Sequence, residues 1–490
     1  MTGGDAGPPG SAAELRRPID ELPDPLRVPT VGSVRAASGA GAAGRAFRVT
    51  VTPPGSKSLT NRALVLAALT GGASRLRRAL TAADDARRMI DALRALGVGV
   101  DETPAGDGGE RDLVVRGERG SFPRTAPARL FLNNAGTATR FLTAAAALAR
   151  APVTIDGNAR MRERPIGELV GLLSQLGVEI EHTGRAGFVP IRVIAGGLGL
   201  AGGRVVAGAT ASSQYISALL LAAPWTERGV EVVYDGPATS PSYVRMTCGL
   251  LARLGARVAL EEDPAGGGLR RVGVAPGGVG PFDLAVEPDA SGATYWWAAA
   301  AITPGATVTV AGLPERSLQG DAAFASELAR LGAVISRSGS LCTITGPAAL
   351  GPADADLSDM PDAAMTLAVV ACFASGVSTI RGLKTLRVKE TDRIEALRVE
   401  LGKIGARVEP FDEAGGGEGV RITPPRGADL LDPDAPPVEF DTYDDHRMAM
   451  ALALVGLRRS NVWIRDPGCV RKTYPGFFAH LAGLYDGAPS

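Results

Sequence analysis

Five segments of the sequence place Lys, Arg or small polar residues at the start of an apolar helical pattern. They read PPGSKSLTNR, NNAGTATR, RMRERPIG, RVKETDR and DHRMAMALALVGL. A helix N-terminus presents unpaired N–H groups and a partial positive charge, so cationic residues beside it favour anion binding. The 52 Lys and Arg residues are balanced by 52 Asp and Glu residues, so positive charge is concentrated only locally. This pattern favours a small, multiply anionic ligand over nucleic acid, which usually needs a basic domain.

The first segment places Lys57, Ser58 and Arg62 near a predicted helix start. It is not a Walker loop, because Ser56 stands where that motif has Gly. In the second segment Gly136 would let a ligand approach the backbone at the start of a small-residue helix. A solvated surface and a simple helix cap are the alternative interpretations of these two segments.

In NARMRERPIG three arginines alternate along a predicted extended segment before Pro165, which is expected at the first helical position. Arg164, nearest the helix start, is the best ligand candidate, whereas Arg160 and Arg162 are expected to be surface charges or ion partners. The segment ATASSQ adds uncharged donors at another helix start, Ser212, Ser213 and Gln214. N-capping accounts equally well for one of these serines.

Two acidic residues are candidates for proton transfer. Asp362 follows Pro361 in the first turn of an apolar helix, where capping is the alternative role. Glu390 lies in RVKETDRIEALRVELGKIG, in which Lys389 and Arg393 are expected one helical turn apart and able to flank one ligand. A solvated run of charges is the alternative interpretation of that segment.

Other features exclude several classes of protein. The four cysteines and three histidines are widely separated and lack the CxxC and HExxH spacings, so neither a metal nor another cofactor is expected. No apolar run reaches the roughly 20 residues that span a bilayer. We therefore expect a cytoplasmic protein that binds small molecules, not nucleic acid or membranes. Residues 1–44, rich in Gly, Ala and Pro, are predicted to form a disordered extension that is dispensable for activity.

An internal repeat covers the rest of the chain. Helical patterns ending in Leu-Gly or Ile-Gly precede a β-branched strand every 73 to 80 residues, with glycines at 97, 177, 255, 332 and 405. A glycine at such a junction provides the left-handed turn that ends the helix. HLAGLYDG offers a degenerate sixth copy at Gly483. We predict six α/β units in two pseudo-symmetric domains, although LG turns could also recur by chance.

Taken together, the motifs PGSKSxxNR, NAGTA, RMxERPIG, SSQ, PDAAMT, RVKETDR, DHRMAM and DPxCxxKTYP resemble those of the 5-enolpyruvylshikimate-3-phosphate (EPSP) synthase family, in the same order. The resemblance extends from about residue 47 to residue 482. It implies transfer of the carboxyvinyl group of phosphoenolpyruvate to the 5-hydroxyl of shikimate 3-phosphate, with release of phosphate. This is a transferase step of the shikimate pathway, which leads to chorismate and the aromatic amino acids and is the target of glyphosate.

The resemblance also implies a fold, the enolpyruvyl transferase fold. This is an α/β inside-out barrel of two domains, each of three βαβαββ units, that close on the substrates. We expect residues 57–286 to carry the N-terminal half of the site, and residues 45–56 with 287–485 to carry the C-terminal half. A monomer without a cofactor is expected.

Site residues follow from the resemblance position by position. The residues implied to bind shikimate 3-phosphate are Lys57, Ser58, Arg62, Ser212, Ser213, Gln214, Ser240, Tyr243, Asp362 and Lys389. Those implied to bind phosphoenolpyruvate are Lys57, Gly136, Arg164, Gln214, Arg393, Arg447 and Lys472. Asp362 and Glu390 are the general acid and base candidates, with Lys57 assisting.

The sequence departs from the family pattern at three positions. Thr385 replaces an Asn that would contact phosphate, Phe141 replaces a Pro, and Asp444 replaces an Asn; the last two bear on the phosphoenolpyruvate pocket and on inhibitor sensitivity. Two alternatives remain open. One is the sister enzyme acting on UDP-N-acetylglucosamine, for whose loop cysteine Cys248 is a poor candidate. The other is a phosphometabolite-binding repeat protein without turnover.

Overall fold

The computed structural model describes residues 12–33, 46–104, 111–194, 200–264, 268–413 and 417–486. The chain divides into two compact units, which are described separately. Unit 1 consists of Met1–Pro53, Ala290–Ser317 and Asp321–Ser490. Unit 2 consists of Pro54–Asp289 and Leu318–Gly320.

The strands are short, and we number them in chain order. They are β1 Leu26–Val28, β2 Arg48–Val51, β3 Gly72–Arg77, β4 Gly99–Thr103, β5 Asp112–Gly117, β6 Ala128–Phe131, β7 Val153–Asp156, β8 Glu179–His182, β9 Ile191–Ile194, β10 Gly203–Ala207, β11 Val230–Tyr234, β12 Val258–Glu262, β13 Leu269–Val274, β14 Asp283–Ala285, β15 Thr307–Ala311, β16 Val334–Ser338, β17 Leu341–Thr345, β18 Asp354–Asp356, β19 Ser378–Arg381, β20 Arg407–Glu413, β21 Gly417–Thr423, β22 Val438–Phe440 and β23 Val462–Ile464.

The helices are numbered in the same way. They are α1 Lys57–Leu69, α2 Asp84–Ala95, α3 Gly136–Ala145, α4 Gly167–Gln175, α5 Ser213–Ala222, α6 Pro241–Arg253, α7 Ala290–Ala301, α8 Phe324–Arg330, α9 Ala364–Ala371, α10 Arg393–Gly402, α11 Gly427–Leu430, α12 His446–Gly456 and α13 Phe477–Asp486. Among the described residues, none of these helices combines the length and apolar character needed to cross a bilayer.

The strands form six small sheets, three in each unit. Unit 2 has the orders β14-β3-β5-β4, β6-β7-β9-β8 and β10-β11-β13-β12, and unit 1 has β16-β17-β15-β2, β18-β19-β21-β20 and β1-β23-β22. In the four-stranded sheets two parallel strands are extended by an antiparallel hairpin, as in β10, β11, β13 and β12. This arrangement confirms the prediction of six repeated α/β units.

The repeat glycines behave as predicted at five positions. Glycines 97, 177, 255, 332 and 405 all have positive φ angles, between +84° and +104°. An L side chain rarely adopts these angles, which explains why the repeat keeps glycine there. The prediction for Gly483 is wrong, because Gly483 lies inside α13, where Phe477, Phe478 and Leu481 are buried and the chain stays helical.

Each unit has buried helices and partly exposed sheets. Every residue of α3, α7, α9 and α12 is buried. Their sequences, such as AMTLAVVA, are apolar on all sides, as expected of helices surrounded by protein. In unit 2 α1, α3 and α5 pack against one another, and in unit 1 α7, α9 and α12 do so. The first turns of these buried helices carry polar or charged residues, such as Lys57, Ser213 and Arg447.

The prediction of a disordered extension is wrong for residues 12–33, whereas residues 1–11 and 34–44 lie outside the described residues. β1 pairs antiparallel with β23, with Leu26 opposite Ile464. Leu15, Leu26 and Val28 are buried. β1 occupies the position that a hairpin strand takes in the other five sheets. The local sequence is too short and too rich in Pro to reveal this tertiary pairing.

Candidate active site

Unit 1 contains a dense group of charged side chains, several of which lie at or near the starts of three helical segments. We call it the Arg393 cluster, and its members are Asp362, Lys389, Glu390, Arg393, Asp445, Arg447 and Lys472. Asp362 lies in the 3₁₀ helix Pro361–Ala363 that leads into α9. Arg393 is the first residue of α10, and Arg447 lies in the first turn of α12. The cluster thus combines helix dipoles with four cationic side chains.

Arg393 is the centre of this cluster and is only 1% exposed. Its Nε lies 2.7 Å from Asp445 Oδ2, one terminal nitrogen lies 3.1 Å from Asp362 Oδ1, and the other lies 2.9 Å from Glu390 Oε2. Burial lowers the pKa of Arg393, but these three carboxylates outweigh burial and hold the pKa above its ordinary value. Arg393 is therefore a fixed positive charge.

The two candidate acid–base carboxylates each contact two or more cations. Besides Arg393, Asp362 lies 2.9 Å from a terminal nitrogen of Arg447 and 3.7 Å from Lys389 Nζ. Glu390 Oε1 lies 3.5 Å from Lys472 Nζ. The structure thus brings together all six residues that the sequence predicts in unit 1.

One detail of this prediction is wrong. Lys389 and Arg393 are not on one helix, because Lys389 is extended and α10 begins only at Arg393. The side chain of Asp392 accepts a hydrogen bond from the Glu395 N–H and caps the helix. The Asp-x-x-Glu spacing is a capping-box pattern that could have located this start. Both cations nevertheless reach Asp362 Oδ1.

Asp445 is a functional candidate that the sequence analysis missed. It caps α12 by accepting from the Arg447 N–H at 2.9 Å, and it contacts two nitrogens of Arg393. Its side chain is fully buried. The DHRM motif signals the cap, but the ion pair joins residues 52 positions apart and has no local signature.

In unit 2, Lys57 is the first residue of α1, whose N-cap is Ser56. Lys57 Nζ lies 3.2 Å from Asp85 Oδ2, and both side chains are largely buried. Asp85 belongs to α2 and was not predicted as a site residue. Lys57, Ser58 and Gln214 are the residues of α1 and α5 that are not fully buried. Three of the predicted ligands are therefore the accessible positions of otherwise buried helices, whereas Arg62 and Ser213 are buried.

Arg62 is a buried cation surrounded by neutral oxygens. Its guanidinium donates to the hydroxyls of Thr247 and Ser217 and to the backbone carbonyls of Ser58 and Tyr243. Within the described part of the chain no carboxylate forms an ion pair with it. Burial lowers the pKa of Arg62 to about 10, so it remains charged at neutral pH. A desolvated, unneutralised cation of this kind attracts an anion.

Arg164 is also buried without a carboxylate partner among the residues that the structure describes. One terminal nitrogen lies 3.1 Å from Asn134 Oδ1, and its Nε is buried without a hydrogen-bond partner. Arg160 and Arg162 instead form the predicted ion pairs, with Glu163 and Asp156. Because Arg164 keeps an unused hydrogen-bond donor, it remains the best candidate of the three arginines for binding an anion.

The predicted backbone around these arginines is wrong in two respects. Met161–Glu163 is a 3₁₀ helix, not an extended segment. Pro165 precedes α4, which begins at Gly167. The Pro165 carbonyl accepts from Arg140 and from the Tyr215 hydroxyl. These side-chain bonds keep its carbonyl outside the helix.

The serines at the starts of α5 and α6 differ in whether their hydroxyls cap the helix. Ser212 caps α5 by accepting from the Gln214 N–H, and Gln214 Nε2 lies 3.2 Å from Thr137 Oγ1 on α3. Ser213 is nearly buried. Ser240 precedes α6 with a left-handed backbone, φ 44°, and its hydroxyl makes no capping bond. Strain of this kind in a non-glycine residue is typical of functional sites. Tyr243 in the first turn of α6 is partly buried.

Comparisons with known proteins identify the family of this chain. The sequence model of the family described as "EPSP synthase (3-phosphoshikimate 1-carboxyvinyltransferase)" matches residues 42–481. The chain belongs to the EPSP synthase family. It is 44% identical over 446 residues to the chloroplastic 3-phosphoshikimate 1-carboxyvinyltransferase of Brassica napus, covering 88% of this chain and 82% of that protein.

Two further comparisons give the same family. The chain is 44% identical over 439 residues to the 3-phosphoshikimate 1-carboxyvinyltransferase of Thiobacillus denitrificans, covering 89% of this chain and 96% of that protein. A solved EPSP synthase from Acinetobacter baumannii superposes with a TM-score of 0.69 at 25% identity, covering 90% of this chain and 96% of that one. The likeness confirms the predicted fold class.

The structure shows where the three residues lie at which the sequence departs from the EPSP synthase pattern. Phe141 on α3 is buried, and the Cζ of Arg62 lies 5.1 Å from the centre of its ring, a cation–π contact. The Thr385 hydroxyl is buried with no hydrogen-bond partner in the described chain, so one donor persists where the family has Asn. Asp444 has a left-handed φ of 54° immediately before Asp445.

Gly136 gives a prediction specific to this candidate site. A methyl group at Gly136 would lie 2.7 and 2.8 Å from the terminal nitrogens of Arg164. Because these atoms end a flexible side chain, Gly136→Ala should displace Arg164 without unfolding the protein. We expect the KM for phosphoenolpyruvate to rise about 10- to 100-fold through a weakened charge-assisted hydrogen bond, measured by steady-state kinetics.

The matched control is Gly171→Ala in α4, where an added methyl meets no atom within 4 Å. It should leave this KM and the melting temperature nearly unchanged. Equal KM values for Gly136→Ala and the unsubstituted protein would contradict the role assigned to Arg164.

Proposed function

We propose that this protein transfers the carboxyvinyl group of phosphoenolpyruvate to the 5-hydroxyl of shikimate 3-phosphate and releases phosphate. The observation that carries the proposal is the Arg393 cluster in a chain of this family. It places two carboxylates, Asp362 and Glu390, each in contact with at least two cations. Such a group can both bind anions and move protons.

Charge complementarity supports this choice of substrates. Together they carry two phosphates and two carboxylates, which the seven proposed cations can match. These cations are Lys57, Arg62, Arg164, Lys389, Arg393, Arg447 and Lys472. Arginine suits both phosphate and carboxylate because its planar guanidinium donates two parallel hydrogen bonds. The hydroxyls of Ser58, Ser212, Ser213 and Ser240, with Gln214 and Tyr243, would recognise neutral parts of shikimate 3-phosphate or its phosphate oxygens.

The reaction then needs three proton movements and the loss of phosphate. The 5-hydroxyl loses its proton as its oxygen attacks C2 of phosphoenolpyruvate, and C3 gains a proton to give a tetrahedral adduct. In the second half C3 loses a proton, and the bond from C2 to the phosphate oxygen breaks as the leaving phosphate is stabilised by cations. Asp362 and Glu390 are the proposed proton carriers, with Lys57 assisting, and the fixed charge of Arg393 stabilises the departing phosphate.

The sister reaction on UDP-N-acetylglucosamine is less well supported. Cys248, the residue considered for its loop cysteine, lies within α6 and is 4% exposed. Burial raises the pKa of the Cys248 thiol to about 12, so the thiolate is not populated at neutral pH. The four cysteines are free and buried, which supports our proposal of a reducing cytoplasm. We also propose that the protein acts as a monomer.

A phosphate-release assay with shikimate 3-phosphate and phosphoenolpyruvate tests the proposal. We expect continuous turnover that requires both substrates and persists in the presence of a metal chelator. Unphosphorylated shikimate and UDP-N-acetylglucosamine are the control acceptors and should give much slower release. Turnover with UDP-N-acetylglucosamine but not with shikimate 3-phosphate would refute the proposal.

A further inference from the structure

Residues 12–33 contact both ends of the 3₁₀ helix Pro467–Lys472. We call them the N-terminal strap. The Asp24 carboxylate accepts a hydrogen bond from the Asp466 N–H at 2.9 Å. Asp20 Oδ1 lies 2.9 Å from a terminal nitrogen of Arg471. These contacts lie just before and near the end of the 3₁₀ helix Pro467–Lys472, so the strap touches both ends of a helix only six residues long.

The start of this 3₁₀ helix is strained and depends on an outside partner. Asp466, its N-cap, has left-handed angles, φ 41° and ψ 55°, and its own side chain makes no capping bond. A non-glycine residue adopts these angles at an energetic cost and only when its surroundings impose them. The carboxylate of Asp24 provides one such constraint, because it binds the N–H of that same residue.

The strap is itself anchored beside this point. β1 pairs with β23, which ends at Ile464, two residues before Asp466. Tyr485 donates its hydroxyl hydrogen to the Pro29 carbonyl at 2.7 Å. Leu26 and Val28 are buried in the core of unit 1. These contacts fix the position of Asp24, and its hydrogen bond with the Asp466 N–H in turn constrains the backbone of Asp466.

At the far end of the helix, Lys472 is 9% exposed and its Nζ lies 3.5 Å from Glu390. A change in the backbone angles of Asp466 would move this nitrogen, because only the six-residue 3₁₀ helix Pro467–Lys472 joins Asp466 to Lys472. We propose that Asp24 is a positioning residue for Lys472 that acts through the N–H of Asp466. This inference rests on the proposed function, in which Lys472 binds phosphoenolpyruvate.

The test compares Asp24→Ala with two matched variants. Asp24→Ala should raise the KM for phosphoenolpyruvate about three- to tenfold, the effect expected of one lost hydrogen bond, and leave the KM for shikimate 3-phosphate within twofold. Asp24→Asn keeps an acceptor oxygen and should restore most of the loss. Arg16→Ala removes a strap contact to α13, at Ala482 and Asp486, and should not change either KM.

A general loss of stability would give a different result. If Asp24→Ala and Arg16→Ala changed both KM values equally, or if neither changed them, the inference would be wrong. Should Asp24→Ala fail to fold, the test uses Asp24→Glu, which keeps the carboxylate but moves its oxygens relative to the Asp466 N–H and should give the same selective rise in the KM for phosphoenolpyruvate. Its absence would also overturn the inference.

Hydrogen exchange separates this inference from the proposed function. If the unsubstituted protein shows no turnover, the proposed function is wrong. The amides of residues 469 to 474 then provide the test, since Cys469 donates to the Asp466 carbonyl, and Thr473 and Tyr474 donate to the Val470 carbonyl. Faster exchange in Asp24→Ala than in Arg16→Ala supports the positioning role, and equal exchange refutes it.

Discussion

Asp362→Asn is expected to lower kcat by about 10²- to 10⁴-fold, the range typical of losing a general acid or base. The amide can neither accept nor release a proton at neutral pH, so it cannot act as a general base or acid. Its NH2 group would also face Arg393 or Arg447, whose nitrogens lie 3.1 and 2.9 Å from the two carboxylate oxygens. Steady-state phosphate release at saturating substrates measures this effect.

The matched control is Asp354→Asn on β18, in the same repeat. Asp354 forms an exposed ion pair with Arg381, and such pairs contribute little to stability. We expect its kcat to stay within twofold of the unsubstituted value. An Asp362→Asn variant that retains a third or more of the kcat would contradict the role assigned to Asp362.

Deleting residues 2–28 is expected to unfold unit 1 or to lower its melting temperature by about 10 °C or more. The deletion removes Leu15, Leu26 and Val28, which are buried. Burying each such side chain contributes about 1.5–3 kcal/mol, so the total is comparable with the whole stability of a typical domain. It also leaves β23 without its antiparallel neighbour. Calorimetry of the purified variant provides the measurement.

A shorter deletion, of residues 2–11, retains every described contact of the N-terminal strap and serves as the control. It should melt close to the full chain. A 2–28 deletion that melted within two or three degrees of the full chain would show that the strap does not stabilise unit 1. This expectation replaces the sequence-based view that the extension is dispensable.

The sequence predicted those features that have a local signature. The repeat glycines require positive φ angles, and the helix starts at Lys57, Ser213 and His446 carry recognisable caps. The sequence distinguished Arg164, which is buried, from Arg160 and Arg162, which form ion pairs, because Arg164 is the nearest of the three to the next helix. These features depend on a few neighbouring residues, which is why pattern analysis located them.

Other features depend on contacts between distant residues. The pairing of Asp445 with Arg393 and of Asp85 with Lys57 joins separate repeats or helices. β1 has three residues, too few for a periodic pattern, and becomes a strand only because β23 offers a free edge. The Pro165 carbonyl is drawn out of α4 by Arg140 and Tyr215. No local propensity encodes these interactions.

The fate of one oxygen atom tests the central claim most directly. Phosphoenolpyruvate labelled with ¹⁸O in the bridge between C2 and phosphorus is incubated with shikimate 3-phosphate and the protein, and the products are analysed by mass spectrometry. Carboxyvinyl transfer breaks the bond between C2 and oxygen, so the account predicts the label in released phosphate and a product that has gained the carboxyvinyl group. Label in pyruvate, with no gain of mass by shikimate 3-phosphate, would indicate cleavage of the phosphorus–oxygen bond and contradict the account.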